Sequence, residues 1–260
     1  MDAIIFGTGG LGRTLAAALV ERGEPAPRLL GRPALGHHRA TDLEAADVVF
    51  EASRGEAVVP NVATALAAGC RRFVIATTGW DDARPAVDEA LRAHGAAAVA
   101  APNFSLGVVL FGRLVETATI LFGAIEAFDP YLVEWHRRTK VDRPSGTARE
   151  LSRRILAAHP AKRRLVDPCR DGPPMPDELD VAVIRAGASP GMHLVGFDAP
   201  GETVELRLTA RDRSAYAAGA LAAADWLVRE RRSPGLHAFD PVVDELLDRS
   251  RRTVAPITAA

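Results

Sequence analysis

Four apolar residues that run straight into a glycine-rich turn leave this chain few ways to begin folding. Ala3-Ile4-Ile5-Phe6 is followed at once by Gly7-Thr8-Gly9-Gly10-Leu11-Gly12, with glycine at each fixed position of the GxGxxG pattern. Leu11, Leu15, Ala18 and Leu19 then recur at helical spacing until Gly23. A buried strand that turns directly into a helix needs glycine in three places: at the tight turn, where a pyrophosphate nears the backbone, and where helix meets strand. The helix start then offers unpaired N–H groups to an anion. A glycine turn without a ligand is the plain alternative; the strand before it and the helix after it favour a dinucleotide site.

The same cadence continues for a hundred residues. Short apolar runs at 28–30, 47–50, 73–76 and 96–101 alternate with helical patterns at 58–68, closed by Gly69, and 84–93, closed by Gly95. Strand, helix, strand in this rhythm predicts a parallel sheet with crossover helices. From Ser105 the rhythm changes. A long apolar helix is expected over 106–122, a strand over 131–135 and a helix over 147–158. An exposed Pro/Gly/Asp loop at 168–176 precedes strands at 181–185, 192–197 and 204–209. A helix at 215–229 and an amphipathic tail with Leu246 and Leu247 close the chain. The expected class is α/β: a Rossmann-like doubly wound parallel sheet, with a second α+β domain of mixed sheet.

Composition narrows function by exclusion. Lys plus Arg number 32 against 33 Asp plus Glu, so there is no overall basic footprint for nucleic acid. Cys70 and Cys169 lie far apart without CxxC spacing, which gives neither a disulfide framework nor a zinc ligand set. The seven histidines form no HExxH-like spacing, and no metal is expected. No apolar run is expected to reach a membrane span's length, and no basic segment with an apolar signal core opens the chain. A cytoplasmic protein without membrane or nucleic-acid partners is the expectation.

Two local features bear on chemistry. Where a dinucleotide fold usually places Asp or Glu for the ribose hydroxyl, the second strand ends in Gly31-Arg32, which favours NADP over NAD. Only Lys140 and Lys162 are lysines, so a lysine kept in this arginine-rich chain suggests a proton that arginine could not release. Lys140 lies in the densest stretch, residues 134–148, which reads EWHRRTKVDRPSGTA. His136 and Lys140 are proton donors four residues apart, and Ser145-Gly146-Thr147 opens a helix as a ready carboxylate cradle. Piece by piece these could be surface residues and a plain helix cap. Their conjunction points to catalysis.

This stretch resembles the signature loop of the dihydrodipicolinate (4-hydroxy-tetrahydrodipicolinate) reductase family, E-x-H-H-x-x-K-x-D-x-P-S-G-T-A. It departs at Arg137, where bacterial members usually carry a second histidine. Ala76-Thr77-Thr78-Gly79 is similar to the family's GTTG, and Ala101-Pro102-Asn103-Phe104-Ser105-Leu106-Gly107-Val108 to its APNFSxGV. The stretch from Arg185 through Gly191, His193 and Arg213 to Trp226 is similar to its C-terminal sheet and last helix. The segment from Gly31 to Asp47 is shorter than the family's usual loop.

The resemblance implies hydride transfer from NADPH, or NADH, to a cyclic conjugated imine dicarboxylate in lysine and diaminopimelate biosynthesis. It places the acid/base histidine at His136 and the proton donor at Lys140. Substrate contacts fall on Arg137, Ser145, Gly146 and Thr147. Cofactor contacts fall on Gly7, Thr8, Gly9, Gly10, Leu11, Gly12, Ala76, Thr77, Thr78, Ala101, Pro102, Asn103 and Phe104, beside Arg32. It further implies a homotetramer, a dinucleotide domain over 1–104 plus 214–260, and a substrate and tetramerisation domain over 105–213. The alternatives are a paralogue reducing another imine, an amino-acid dehydrogenase of similar fold, and an NADP-sensing regulator without chemistry. A regulator would have no need of the two proton donors.

Overall fold

The computed structural model describes residues 1–32, 38–167 and 171–253, with side chains described through residue 250. Cys169 and part of the expected 168–176 loop lie outside the described residues. The chain forms two compact units, Met1–Leu106 with Arg213–Ala260, and Gly107–Asp212.

The chain starts with β1 (Ala3–Phe6), α1 (Gly10–Glu21), β2 (Arg28–Leu30), β3 (Val48–Glu51), α2 (Gly55–Ala67), β4 (Arg72–Ile75), α3 (Arg84–Ala93) and β5 (Ala97–Ala100). It continues through α4 (Leu106–Gly123), β6 (Asp129–His136), α5 (Gly146–Ala158), β7 (Arg164–Leu165), β8 (Glu178–Arg185), β9 (Met192–Ala199) and β10 (Glu202–Thr209). It returns with α6 (Ser214–Arg229), β11 (Gly235–His237) and α7 (Asp240–Thr253).

In the first unit the strands pair in the order β11-β5-β4-β3-β1-β2, every pair parallel. β1, β3 and β5 are buried at every residue, as a sheet covered on both faces requires. β1 lies between β2 and β3, so the chain reverses its direction of winding there. Such a switch point opens a crevice at the carboxyl ends of the strands. The edge strand β11 was not legible beforehand. With three residues and one large apolar side chain, Leu236, it forms only because β5 offers it a register from Gly235↔Ala97 to His237↔Val99.

The second unit carries a mixed sheet, ordered β10-β9-β6-β8-β7. β6 is its axis, parallel to β8 on one side and antiparallel to β9 on the other. Its core joins Phe111 and Val115 of α4 to Leu151 and Ile155 of α5, over Leu132, Val195 and Phe197 of the sheet. One expectation needs amending. At 18 residues α4 is long and apolar enough to meet the length and composition of a membrane span. Here Phe111, Val115 and Thr119, four residues apart, form its buried stripe, the spacing of a helix packed on a core.

Candidate functional site

Each unit gathers polar groups of its own. In the first, a cavity of about 410 Å³ opens at the switch point, lined by Gly7, Thr8, Gly9, Arg32, His38 and Arg54 among others. The glycines differ in what they provide. Gly7 has φ +113°, and a Cβ there would lie 2.3 Å from the Ala52 carbonyl oxygen. A Cβ at Gly12 would lie 1.9 Å from the Gly7 carbonyl oxygen, so this position sets how closely helix approaches strand. Nothing lies within 4 Å of a Cβ built at Gly9, which leaves its backbone open to a ligand.

Helix α1 starts without a side-chain cap and without an acidic residue in its first turn. The Arg213 guanidinium rests on that turn, with Nη1 where it would be 2.2 Å from a Cβ at Gly10. Free N–H groups, a helix dipole and a guanidinium make a fitting seat for a pyrophosphate. Leu11 is half-buried in the same turn. Arg32 is exposed just after β2. His38, which sequence reasoning missed, bonds the Gly31 carbonyl through Nε2 at 2.9 Å, and its ring lies 5.3 Å from that of Phe6.

A second feature missed from the sequence is Glu51, wholly buried at the end of β3. Its Oε1 accepts from the Ser53 amide at 2.9 Å, from the Ser53 hydroxyl and from Thr77 Oγ1 at 3.1 Å. Asn61 Nδ2 donates to Oε2 at 2.8 Å. Burial raises this carboxyl above the ordinary range, and the neutral donors only partly oppose it. A carboxylate ending the otherwise apolar run Val48-Val49-Phe50-Glu51 was the signal available.

The other expected cofactor residues sit at neighbouring strand ends, outside that cavity lining. The Ala76 amide donates to the Glu51 carbonyl, and Thr77 is buried by its bond to Glu51. Thr78 and Pro102 are exposed, and Ala101 is buried. Asn103 Oδ1 accepts from the Ser105 amide at 2.8 Å. The Phe104 ring belongs to the core, 4.9 Å from that of Phe239.

In the second unit, strand register assembles the site. Glu134 and His136 share one face of β6, since side chains alternate along a strand. Glu134 lies opposite His193 on β9, and His136 opposite Arg185 on β8. The loop after β6 returns through Asp142 to Ser145, which caps α5 by accepting from the Ala148 amide at 3.1 Å. Gly146 is exposed and Thr147 half-buried in the first turn beyond the cap. Lys140 Nζ pairs with Asp142 Oδ1 at 2.7 Å, and Arg137, exposed, donates from Nε to Thr139 Oγ1 at 3.2 Å.

Glu134 is the centre of this group and fully buried. The Ser145 amide lies 3.0 and 3.2 Å from its two oxygens, and Arg185 Nη2 donates to Oε1 at 2.7 Å. Burial alone would raise its carboxyl, but the facing His193 and hydrogen bonds from Ser145 and Arg185 prevail and hold it well below the ordinary range. His136 goes the other way. Burial, with Lys140, Arg185 and His193 nearby, pushes its imidazole down to about 4 against the pull of Glu134. The expectation of two proton donors near neutral pH is therefore narrowed: in the free chain His136 is neutral there.

Donor atoms of Glu134, His136 and His193 lie within 4.8 Å of one another, a grouping the sequence spacing did not reveal. Arg185 and the Ser145 amide also engage this carboxylate, Arg185 at Oε1 while the two histidines face Oε2.

The chain as a whole is similar to known proteins. A family model described as dihydrodipicolinate reductase, C-terminus, matches residues 107–243. The 4-hydroxy-tetrahydrodipicolinate reductase of Archaeoglobus fulgidus is 34% identical over 241 residues, 90% of this chain and 91% of that protein. The enzyme of the same name from Methanococcoides burtonii is 34% identical over 76% of this chain and 73% of its own. Among solved structures, a dipicolinate-bound dihydrodipicolinate reductase from Paenisporosarcina sp. TG-14 shares the fold at a TM-score of 0.66 and 19% identity, covering 92% of this chain and 97% of that one.

Proposed function

Because the chain belongs to the dihydrodipicolinate reductase family of oxidoreductases, we propose that it reduces 4-hydroxy-tetrahydrodipicolinate, or a closely similar cyclic imine dicarboxylate, with a nicotinamide cofactor. The observation that carries this reading is the second unit's loop. It joins a cation, Lys140, to a helix start, Ser145-Gly146-Thr147, anchored from below by buried Glu134.

The reduced nicotinamide supplies the hydride when bound. The first unit would hold that cofactor along Gly7 to Gly12 and the ends of β4 and β5, where α1's free N–H groups suit a pyrophosphate. Arg32, with His38 and Arg54 on the same lining and no carboxylate closing β2, supports NADPH as the preferred form, NADH as the lesser. Glu56, also on that lining, tempers the preference.

The second unit would bind the substrate. The α5 N-terminus and the Thr147 hydroxyl take one carboxylate, and Arg137 supplies a cation for the other. Lys140 donates the proton to the ring as it becomes electron-rich, the moment when a positioned acid is worth most. Neutral His136 orients the ring and takes up charge only as the anionic substrate enters.

The sheet's uncovered face presents Trp135 beside Ile184, 36% and 44% exposed, which supports association of this unit into a homotetramer. A biosynthetic reductase of this kind works in the cytoplasm, where its nicotinamide and amino-acid precursors are found.

The test follows absorbance at the nicotinamide band with freshly generated substrate. NADPH should be oxidised only when substrate is present, and Lys140→Ala should lower turnover about 10²-fold. Calorimetric NADPH affinity should stay at the wild-type value. An inactive wild type, or a Lys140→Ala variant at full turnover, overturns the reading.

A further inference from the structure

Within the substrate site proposed above, one residue meets the start of α5 and both neighbouring strands yet has no place in the chemistry. Glu134 lies inside the sheet on its central strand. Its carboxylate meets the start of α5 at the Ser145 amide and β8 at Arg185. It also faces His193 Nε2 on β9 at 3.7 Å and His136 Nδ1 on its own strand at 3.5 Å. His193 Nε2 in turn lies 3.2 Å from Ser145 Oγ. Arg185 Nη2 carries the connection outward, donating to the Asp142 carbonyl at 2.5 Å, and Asp142 holds Lys140.

We propose that Glu134 is the positioning residue of this site, setting the tautomer of His136 through Nδ1 and the orientation of the Ser145-Gly146-Thr147 turn through the Ser145 amide, with Arg185 as its counter-ion. The proposal rests on the functional reading only for its kinetic consequence.

The argument is electrostatic. His136 Nδ1 is buried with no hydrogen-bond partner, and the charge it faces is Glu134 Oε2 at 3.5 Å. A neutral imidazole carries one N–H, and a bare lone pair turned toward a carboxylate would be repelled. The proton therefore sits on Nδ1, and Nε2 keeps its lone pair. The charged or titratable groups facing the ring are Glu134, His193, Lys140 and Arg185, and Glu134 is the one anion among them. Gly191 completes the placement, since a Cβ there would lie 2.9 Å from His136 Nε2. The Ser145 amide, at the cap of α5, depends on the same carboxylate. Loss of its charge should loosen ring and cradle together.

The decisive experiment is nitrogen-15 NMR of the histidine rings in the full chain, with assays of the same samples. Wild type should show His136 as the Nδ1–H tautomer near neutral pH. Glu134→Gln turns an amide toward that nitrogen and should shift the ring toward Nε2–H. Turnover should fall about tenfold to a hundredfold, the scale seen when the group orienting a functional histidine is removed. The substrate KM should rise and NADPH affinity should not change. Glu134→Asp should restore part of the Nδ1–H signal and part of the turnover.

A wild-type His136 found as Nε2–H overturns the proposal, and that measurement needs no folded variant. A Gln variant with wild-type tautomer and turnover also overturns it. If the wild type reduces no imine, the functional reading fails, while the tautomer shift still reports on Glu134.

Discussion

Two glutamates, one in each unit, are fully buried at strands of the two sheets, and their surroundings treat the same carboxyl in opposite ways. Glu51 is surrounded by hydroxyls and amides of Ser53, Asn61 and Thr77. Glu134 has a guanidinium at 2.7 Å and a backbone amide across both oxygens. Neutral donors do not outweigh desolvation at Glu51, so its carboxyl is raised; His193, Ser145 and the Arg185 cation together do at Glu134, which is lowered. The first arrangement ties together Ser53 and Asn61, two residues that line the open cavity. The second maintains a fixed charge beneath a buried ring and a helix start.

The comparison breaks most easily at Arg185. Removing one partner of a buried pair leaves the other charge uncompensated, at a cost of about 3–5 kcal/mol. Arg185→Met should therefore lose that much stability in urea unfolding near neutral pH and recover part of it in acid, as Glu134 takes up a proton. A loss below about 1 kcal/mol would show that Glu134 needs no counter-ion, and that the two glutamates are alike.

A smaller effect sharpens the functional contrast. Arg32 is exposed, so its pairing with a 2′-phosphate is screened, and a preference for NADPH of about tenfold, near 1.4 kcal/mol, is expected. Arg32→Ala should erase most of it, by weakening NADPH and leaving the substrate KM unchanged. Added salt should shrink the wild-type preference in the same direction. If the variant keeps its preference, Arg54 or His38 reads the phosphate instead.

The smallest expected effect carries the clearest sign. Glu51 is raised, so across the carboxylate range the folded chain keeps its proton longer than the unfolded chain, and stability falls as pH rises. Glu51→Gln has no such proton. Its stability relative to wild type should improve by under about 1 kcal/mol between pH 4 and 8. Glu134 is lowered, so its stabilisation is present above the unfolded carboxyl pKa of about 4.3 and is lost as pH falls. Glu134→Gln should then be penalised most near neutral pH and least in acid. Thermal melts across that range should give difference curves of opposite slope; parallel curves would remove the distinction between the two sites.

Much of the architecture was legible because its signals are local. The run Ala3-Ile4-Ile5-Phe6, the glycines at 7, 9 and 12, and the apolar spacing of α1 and α3 each specify an element from neighbours within one or two turns. The loop from His136 to Thr147 was legible for the same reason, its cradle being a helix cap written in consecutive residues. β7 and β11 were not, because each carries a single large apolar side chain, Leu165 and Leu236, and so gives no apolar run of the kind that marks the equally short β2.

The chemistry of the second unit divides along the same line. The sequence by itself determined that two proton-carrying residues lie close along the chain, His136 ending β6 and Lys140 in the loop after it, with a serine cap behind them. It could not determine that Glu134 would meet His193 and Arg185, 59 and 51 residues away, because that depends on the register of β6 against β9 and β8. Nor could it determine that His136 is neutral. A side chain's charge follows from the water it loses and the charges brought around it, and burial and strand register are decided only when the sheet closes.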